Sequence, residues 1–336
     1  MRRGALALQQ LAGPALLVVL AGLLGAAVSL STQAYFTDAL VSVAIVVALY
    51  TFIGNSGVLS FGHISFVAIG AWTAGVLSVP TGQKSAIMPN LAHFMRPWTT
   101  GNLASIALAG VIAGVCALIV AFPLMRLSGL AAGIATFGVL EITHNMLQYE
   151  ERIGPGLNAF SSVPETTGLL QASVGTLIVI VIAFAYGRSR FGRLLRATRE
   201  DPAAARAAGV SIYRQRLIAF TLSGILAGVA GGLYVHLLPV STNSVYLDLT
   251  FITLAMLVIG GATSLWGAVV GALAVSALDS YLAIAENGAS LFGLHYDLPA
   301  GTRVVVEGAL MALVLIVRPS GLTGGREVRL WPRHRS

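Results

Sequence analysis

Glu141, His144 and Asn145 stand at i, i+3 and i+4 in the stretch GLAAGIATFGVLEITHNMLQY, so a helix places all three on one face. A carboxylate and an imidazole there can pair with each other, or approach the charged groups of a zwitterionic solute. They can also simply meet water where the apolar segment ends. Two such ligands are too few for a metal site. His63, in LSFGHISF beside the glycines of 54–62, suits either a solute path or a buried role satisfied by a backbone carbonyl. Asp279, Arg303 and Glu307 fall toward the ends of apolar runs, and the four-residue spacing of Arg303 and Glu307 suits an interfacial ion pair. No Ser/His/Asp order and no paired-carboxylate spacing stands out, so the chain reads as no enzyme.

The other concentration of chemistry is RSRFGRLLRATREDPAAARAAGVSIYRQR, residues 188–216, with eight arginines in a chain only 10% charged. Guanidinium groups at that density pair with lipid phosphates or with acidic groups on a partner. At its centre Asp201 is placed to cap free N–H groups, Pro202 suits the first helical position, and Gly209 suits the left-handed position past the end. A helix of about 10 Å follows. Alone in water it is marginal, so flanking segments or a partner must hold it. A solvated positive loop is the plainer alternative; the small, alanine-lined face favours docking into a groove of another protein.

These groups are positioned by membrane-spanning helices. The 336 residues are 56% hydrophobic, with a mean hydropathy of +0.84, whereas a soluble domain carries about 25% charged residues. Candidate spans lie at 14–31, 38–54, 57–79, 101–123, 129–148, 169–187, 216–238, 250–262, 266–285 and 302–318. The fold class is therefore all-α: a polytopic bundle of about ten spans with discontinuous glycine-rich segments. The eighth is too short to cross alone. Residues 1–320 form the membrane domain, the arginine segment 188–216 lies within it, and 321–336 form a basic tail.

Ten spans put 16 of the 20 positive residues on one side: Arg2, Arg3, Arg126, the eight of 188–216, Arg318, Arg326, Arg329, Arg333 and Arg335. Only Lys84, Arg96, Arg152 and Arg303 fall on the other. That bias makes the richer side cytoplasmic, both termini included, and accounts for a pI near 10 without nucleic acid. The first run reads as an uncleaved span rather than a signal peptide, because its core is long and TQA at 32–34 is a poor cleavage site. Cys116 lies in an apolar run and reads as a buried small side chain. The 38 glycines chiefly allow close helix approach. GNSG at 54–57 and GGATSLWG at 260–267 instead put breakers at the cytoplasmic ends of adjacent spans, where exposed backbone can face a solute. Asn55, Gly57, Gly62, His63, Glu141, Gly260 and Gly261 are thus the candidate translocation path. The only lysine, Lys84 in TGQKS, sits in no phosphate-binding loop, so this chain cannot cradle ATP by that device.

TREDPAAARAAGVSIYRQRLIAFTLSGILAGVAGGLY, residues 198–234, resembles the cytoplasmic-loop signature of ABC importer permeases, closest to the branched-chain amino acid family of the LivM type. Ala204, Ala205 and Gly209 keep its Glu-Ala-Ala, three-residue, Gly spacing, with Ala203 where glutamate is usual. GNSGVLSFGHISFVAIGAW, RLSGLAAGIATFGVLEI, GGATSLWGAVVGA and RPSGLTG resemble further family motifs; RIGPGLNAF departs, keeping mainly Gly156–Leu157. The resemblance implies a bacterial inner-membrane subunit that binds no cofactor. Its partners would be a second, related permease, two cytoplasmic ATPases that consume ATP, an extracytoplasmic solute-binding protein and lipid. Glu200, Asp201, Pro202, Ala204, Ala205, Arg206 and Gly209 would form the coupling helix. Urea, an amide or another small solute is an alternative cargo, and an ion-coupled secondary transporter an alternative class.

Overall fold

The computed structural model describes residues 2–286, 290–291, 294–295, 299, 301–318, 320–325 and 327. Arg326, Arg329, Arg333 and Arg335 of the basic tail, and the side chains of Arg2, Arg3 and Glu307, lie outside the described residues. The chain is all-α, apart from a two-residue antiparallel ladder between β1 (Ser290–Leu291) and β2 (Leu294–His295). In order the helices are α1 (Arg2–Ala26), α2 (Leu30–Ser56), α3 (His63–Ser78), α4 (Thr81–Ile87), α5 (Asn102–Leu124), α6 (Gly129–Tyr149) and α7 (Leu169–Arg188). There follow α8 (Arg190–Glu200), α9 (Pro202–Ala207), α10 (Ile212–Val235), α11 (Leu247–Gly260), α12 (Leu265–Glu286) and α13 (Thr302–Val317).

An apolar helix lies in each of the ten predicted segments. Seven stretches among the described residues are long and apolar enough to cross a membrane unaided: α2, α5, α6, α7, α10, α12 and Asn243–Gly260. Gln10–Ala26 and α3 are shorter apolar helices, and α13 has 16 residues. The third segment is not helical from 57 as expected. Gly57 turns left-handed at φ 69° and closes α2 with its N–H on the Ile53 carbonyl, so α3 begins only at His63. The eighth gains length from a 3-10 turn, Asn243–Val245, which extends it to 18 residues. α2 starts at Leu30 rather than 38.

α2 is the axis of the bundle, with 83% of its apolar window buried. Glycine sets the tightest contacts. A Cβ on Gly231 of α10 would lie 2.0 Å from the Val67 carbonyl oxygen of α3, and one on Gly228 would lie 2.4 Å from the Ala113 Cβ of α5. The GVAGG run therefore lets α10 wedge between α3 and α5 by backbone contact. α5, α6 and α7 are mostly unburied and present bare apolar side chains such as Leu130 and Leu170, at 80% and 79% exposure. A hydrocarbon environment accepts such faces; water does not.

Helix ends gather at two poles. At the arginine-rich pole the Tyr213 hydroxyl donates to the Phe122 carbonyl and Arg216 to the Leu127 carbonyl. At the other, loops 79–101, 150–168 and 236–246 meet around buried His236. Its Nε2 is 3.1 Å from both the Ser78 and the Ser105 hydroxyls, and its Nδ1 is 3.1 Å from the Pro164 carbonyl. A neutral ring that donates from Nδ1 to the Pro164 carbonyl and accepts at Nε2 from the Ser78 hydroxyl fits, the Ser105 hydroxyl donating instead to the Asn102 carbonyl at 2.7 Å. Burial holds this imidazole below its ordinary value, partly opposed by the Pro164 carbonyl. A depressed folded pKa gives stability that is complete above the unfolded value of about 6.5 and is lost as pH falls through the folded one. The thermal midpoint of the purified protein is thus expected to fall between pH 7.5 and pH 5, and a His236→Gln variant to flatten that slope. An unchanged slope would remove His236 as its source. Lys84 at this pole is buried, its Nζ donating to the Met95 and Trp98 carbonyls.

Candidate functional site

The arginine segment folds into two short helices beneath the ends of α2, α7 and α10. Ser189 caps α8 by accepting from the Gly192 N–H, and Leu195 and Thr198 are the side chains it buries. Arg196 and Arg199, three apart and hence on one face, reach back to the bundle. Arg196 donates from Nη1 to Asn55 Oδ1 at 2.9 Å and from Nη2 to the Gly187 carbonyl at 2.6 Å. Arg199 donates from Nη1 to the Gly54 carbonyl at 2.6 Å, and from Nη2 to Glu200 at 2.6 Å. Its methylenes fill the space over Gly57, where a Cβ would lie 2.7 Å from Arg199 Cγ. Two guanidinium groups thus hold the C-terminal ends of α2 and α7, where the helix dipole favours a cation.

The predicted short helix is α9. Asp201 Oδ1 accepts from the N–H groups of Ala203 and Ala204, both at 2.9 Å, and Pro202 occupies the first helical position. At the other end Gly209, at φ 77°, donates to the Arg206 carbonyl, and Val210 donates to the Ala205 carbonyl. That double closure needs a left-handed residue. Ala205 alone of Pro202–Ala208 is buried; Glu200, Asp201, Pro202, Ala204, Arg206 and Gly209 are exposed. Among the described residues Arg206 donates only to the Pro202 carbonyl of its own helix. α9 is thus a capped helix with most of its surface open to solvent.

The candidate path residues occupy three separate places. Asn55, Gly57, Gly260 and Gly261 meet at the arginine-rich pole, where a Cβ on Gly54 would lie 2.6 Å from the Ala262 carbonyl oxygen. Gly62 and His63 are in the interior. The His63 Nδ1 is 2.8 Å from the Ser60 hydroxyl, and its ring packs among Phe52, Phe66 and Phe220. Glu141 is exposed toward the opposite pole. It accepts from Asn145 at 2.8 Å and from the Tyr246 hydroxyl, while His144 stacks on Tyr246 with ring centroids 3.8 Å apart. Arg303 pairs with Asp279, and the expected Arg303–Glu307 contact falls on a side chain outside the described residues.

Sequence reasoning missed the cover on the α11–α12 break. Leu322 and Thr323 donate their N–H groups to the Ile259 and Gly260 carbonyls at 2.7 and 3.2 Å, and the Thr323 hydroxyl adds a bond to Gly260 at 2.8 Å. Glu327 then caps α12, accepting from the N–H groups of Leu265 and Trp266. Burial pushes the Glu327 carboxyl above its ordinary value, opposed by those two N–H groups and by Arg196. The single legible signal was RPSGLTG itself, which says nothing of where it docks.

A helical bundle with seven membrane-length apolar stretches and a capped helix exposed at one pole defines a multi-pass membrane protein. The chain belongs to the family of branched-chain amino acid transport system permease components, whose match covers residues 31–315. It is 28% identical to the high-affinity branched-chain amino acid transport system permease protein LivM of Escherichia coli (strain K12), over 88% of this chain and 70% of that one. It is also 26% identical to the guanosine ABC transporter permease protein NupQ of Bacillus subtilis (strain 168), over 73% and 78% of the two chains. The xylose transport system permease protein XylH of Escherichia coli (strain K12) is 30% identical over 47% of this chain and 38% of its own. No solved structure matches the chain. The family thus includes permeases for different cargoes.

Proposed function

We propose that this chain is the translocating subunit of an ATP-driven importer for branched-chain amino acids in a bacterial inner membrane, with its arginine-rich pole and both termini in the cytoplasm. A second, related permease, two ATPases and a solute-binding protein complete the machine, and the ATPases consume the ATP. The observation that carries the reading is α9: capped at both ends, exposed along most of its length, and joined through α8 to α2 and α7. A groove on an ATPase that grips α9 moves α8, and the two arginines carry the displacement to the ends of the spanning helices. Asn55, Gly57, Gly260 and Gly261 lie where that motion arrives; Gly62 and His63 hold α3 behind them, and Glu141 faces the solute at the far pole. Similarity to LivM over most of both chains supports the amino-acid cargo. The likeness to NupQ keeps another small solute as the second reading.

Reconstitution with the ATPases and binding protein tests it. Leucine uptake should require ATP hydrolysis and ignore an imposed proton or sodium gradient; uptake driven by the gradient alone would mean a secondary transporter. Within that assembly, Gly209→Val forces a branched side chain into a left-handed position, a penalty of about 1–2 kcal/mol, and Ala205→Trp disrupts the one buried contact of α9. Both are expected to reduce ATPase co-purification and uptake together. Undiminished assembly and transport would remove α9 from the coupling role.

A further inference from the structure

At the pole opposite α9, a cavity of about 620 Å³ opens between α11 and α13, within the 300–1,000 Å³ usual for small-molecule sites. Its two sides differ in chemistry. Leu249, Ile252 and Ala255 of α11 and Met311 of α13 make an apolar wall. Asp248, Glu286 and Arg303 stand at the same cavity, two carboxylates to one guanidinium. Two of these groups are fixed. The Arg303 Nε pairs with Asp279, and the Arg303 backbone N–H donates to Glu286 Oε1 at 2.8 Å.

We propose that this cavity is a binding site for a compact zwitterion with an apolar side chain, holding its ammonium at Asp248 and Glu286, its carboxylate toward Arg303 and its side chain on the α11 wall. The site deepens the importer reading and rests on it for the identity of the solute. An acyl chain would use the apolar wall but leave two carboxylates beside its anionic headgroup, which like charge disfavours. A metal ion is disfavoured by the guanidinium, and among the described residues no three His, Cys, Asp or Glu groups are placed to hold one. The excess of carboxylate makes ammonium the better recognised end of the solute.

Gly308 offers a clean obstruction. It lines the cavity, and nothing among the described residues lies within 4 Å of where its Cβ would be, so Gly308→Leu starts its side chain in open space beside the cavity. In lipid nanodiscs holding the permease alone, labelled leucine is expected to bind and to be displaced by isoamylamine better than by isocaproate. Gly308→Leu and Asp248→Asn should each weaken leucine binding about tenfold or more, with thermal midpoints like the wild type. In the complete reconstituted complex the same variants should raise the uptake KM. Leucine binding that survives both variants unchanged, or no leucine binding at all, overturns the site, as does a phospholipid held in the cavity that leucine cannot displace. Failure of ATP-driven leucine uptake by the wild-type complex would instead overturn the importer reading, because the nanodisc measurement needs neither ATPase nor binding protein.

Discussion

Replacing Arg199 with alanine is expected to lower ATP-driven uptake by roughly ten- to a hundredfold, while the permease still folds and still binds its ATPases. The loss follows from what the side chain does. Its Nη1 is 2.6 Å from the Gly54 carbonyl, one of the free carbonyls at the end of α2, and its methylenes lie across Gly57. A hydrogen bond from a charged donor contributes about 1.5–3 kcal/mol, which corresponds to the stated range in an equilibrium between two arrangements of α8 and α2. Arg199 makes no hydrogen bond to Pro202–Ala207 among the described residues, and of the coupling segment only exposed Glu200 loses a partner, so the α9 face itself is expected to be unchanged. ATP hydrolysis should therefore persist without proportionate transport, which a ratio of uptake to hydrolysis in proteoliposomes reads directly. Arg199→Lys keeps the charge but loses the fork and its reach to Glu200, so it should fall between. Arg196→Ala should behave alike through Asn55 and Gly187. Arg188→Ala, which removes an exposed bond to Gln10 at the same pole, is the control. Normal uptake in both the Arg196 and Arg199 variants would show that α8 carries no motion.

α9 was legible almost atom by atom, because caps are local: Asp201, Pro202 and Gly209 decide its ends without help from the rest of the chain. The ten apolar segments were legible for the same reason, each being a run of uniform composition. Where they end was not. α3 begins six residues late because Gly57 turns the chain and the Phe61 N–H donates to the Thr136 hydroxyl of α6 at 3.2 Å; that neighbour is 75 positions away. His63 shows the limit for the site. An ionisable residue in an apolar run has the same sequence signature whether it lines a path or packs among phenylalanines, and only Phe52, Phe66 and Phe220 choose between them. Arginine density located the pole that carries α9, yet it did not tell Arg196 and Arg199, which hold helix ends, from Arg206, which does not. That difference lies in the direction each side chain leaves a short helix, and tertiary contact sets it.

Glu327→Ala combined with Thr323→Val is expected to destabilise the folded protein by about 2–4 kcal/mol, read as a lower denaturant midpoint in detergent. The break at Gly260–Gly261 strips two helix ends of their continuation, and glycine has no side chain to shield them. Ile259 and Gly260 are buried, and a buried carbonyl left without a donor is costly. Leu322 and Thr323 answer the carbonyls, and Glu327 answers the N–H groups of Leu265 and Trp266. The double variant removes one hydroxyl donor and leaves two amide donors unpaired. Glu327→Gln keeps one oxygen acceptor but sets an amide NH2 against the second N–H, so it should fall between the wild type and Glu327→Ala. Because a Cβ on Gly321 would lie 2.6 Å from the Gly261 Cα, Gly321→Ala should pry the same segment away without touching its hydrogen-bonding groups, and should reproduce much of the loss. If Gly321→Ala and the double variant both unfold like the wild type, the segment after α13 merely rests on the break, and the stability of the α11–α12 turn must come from its packing against α2.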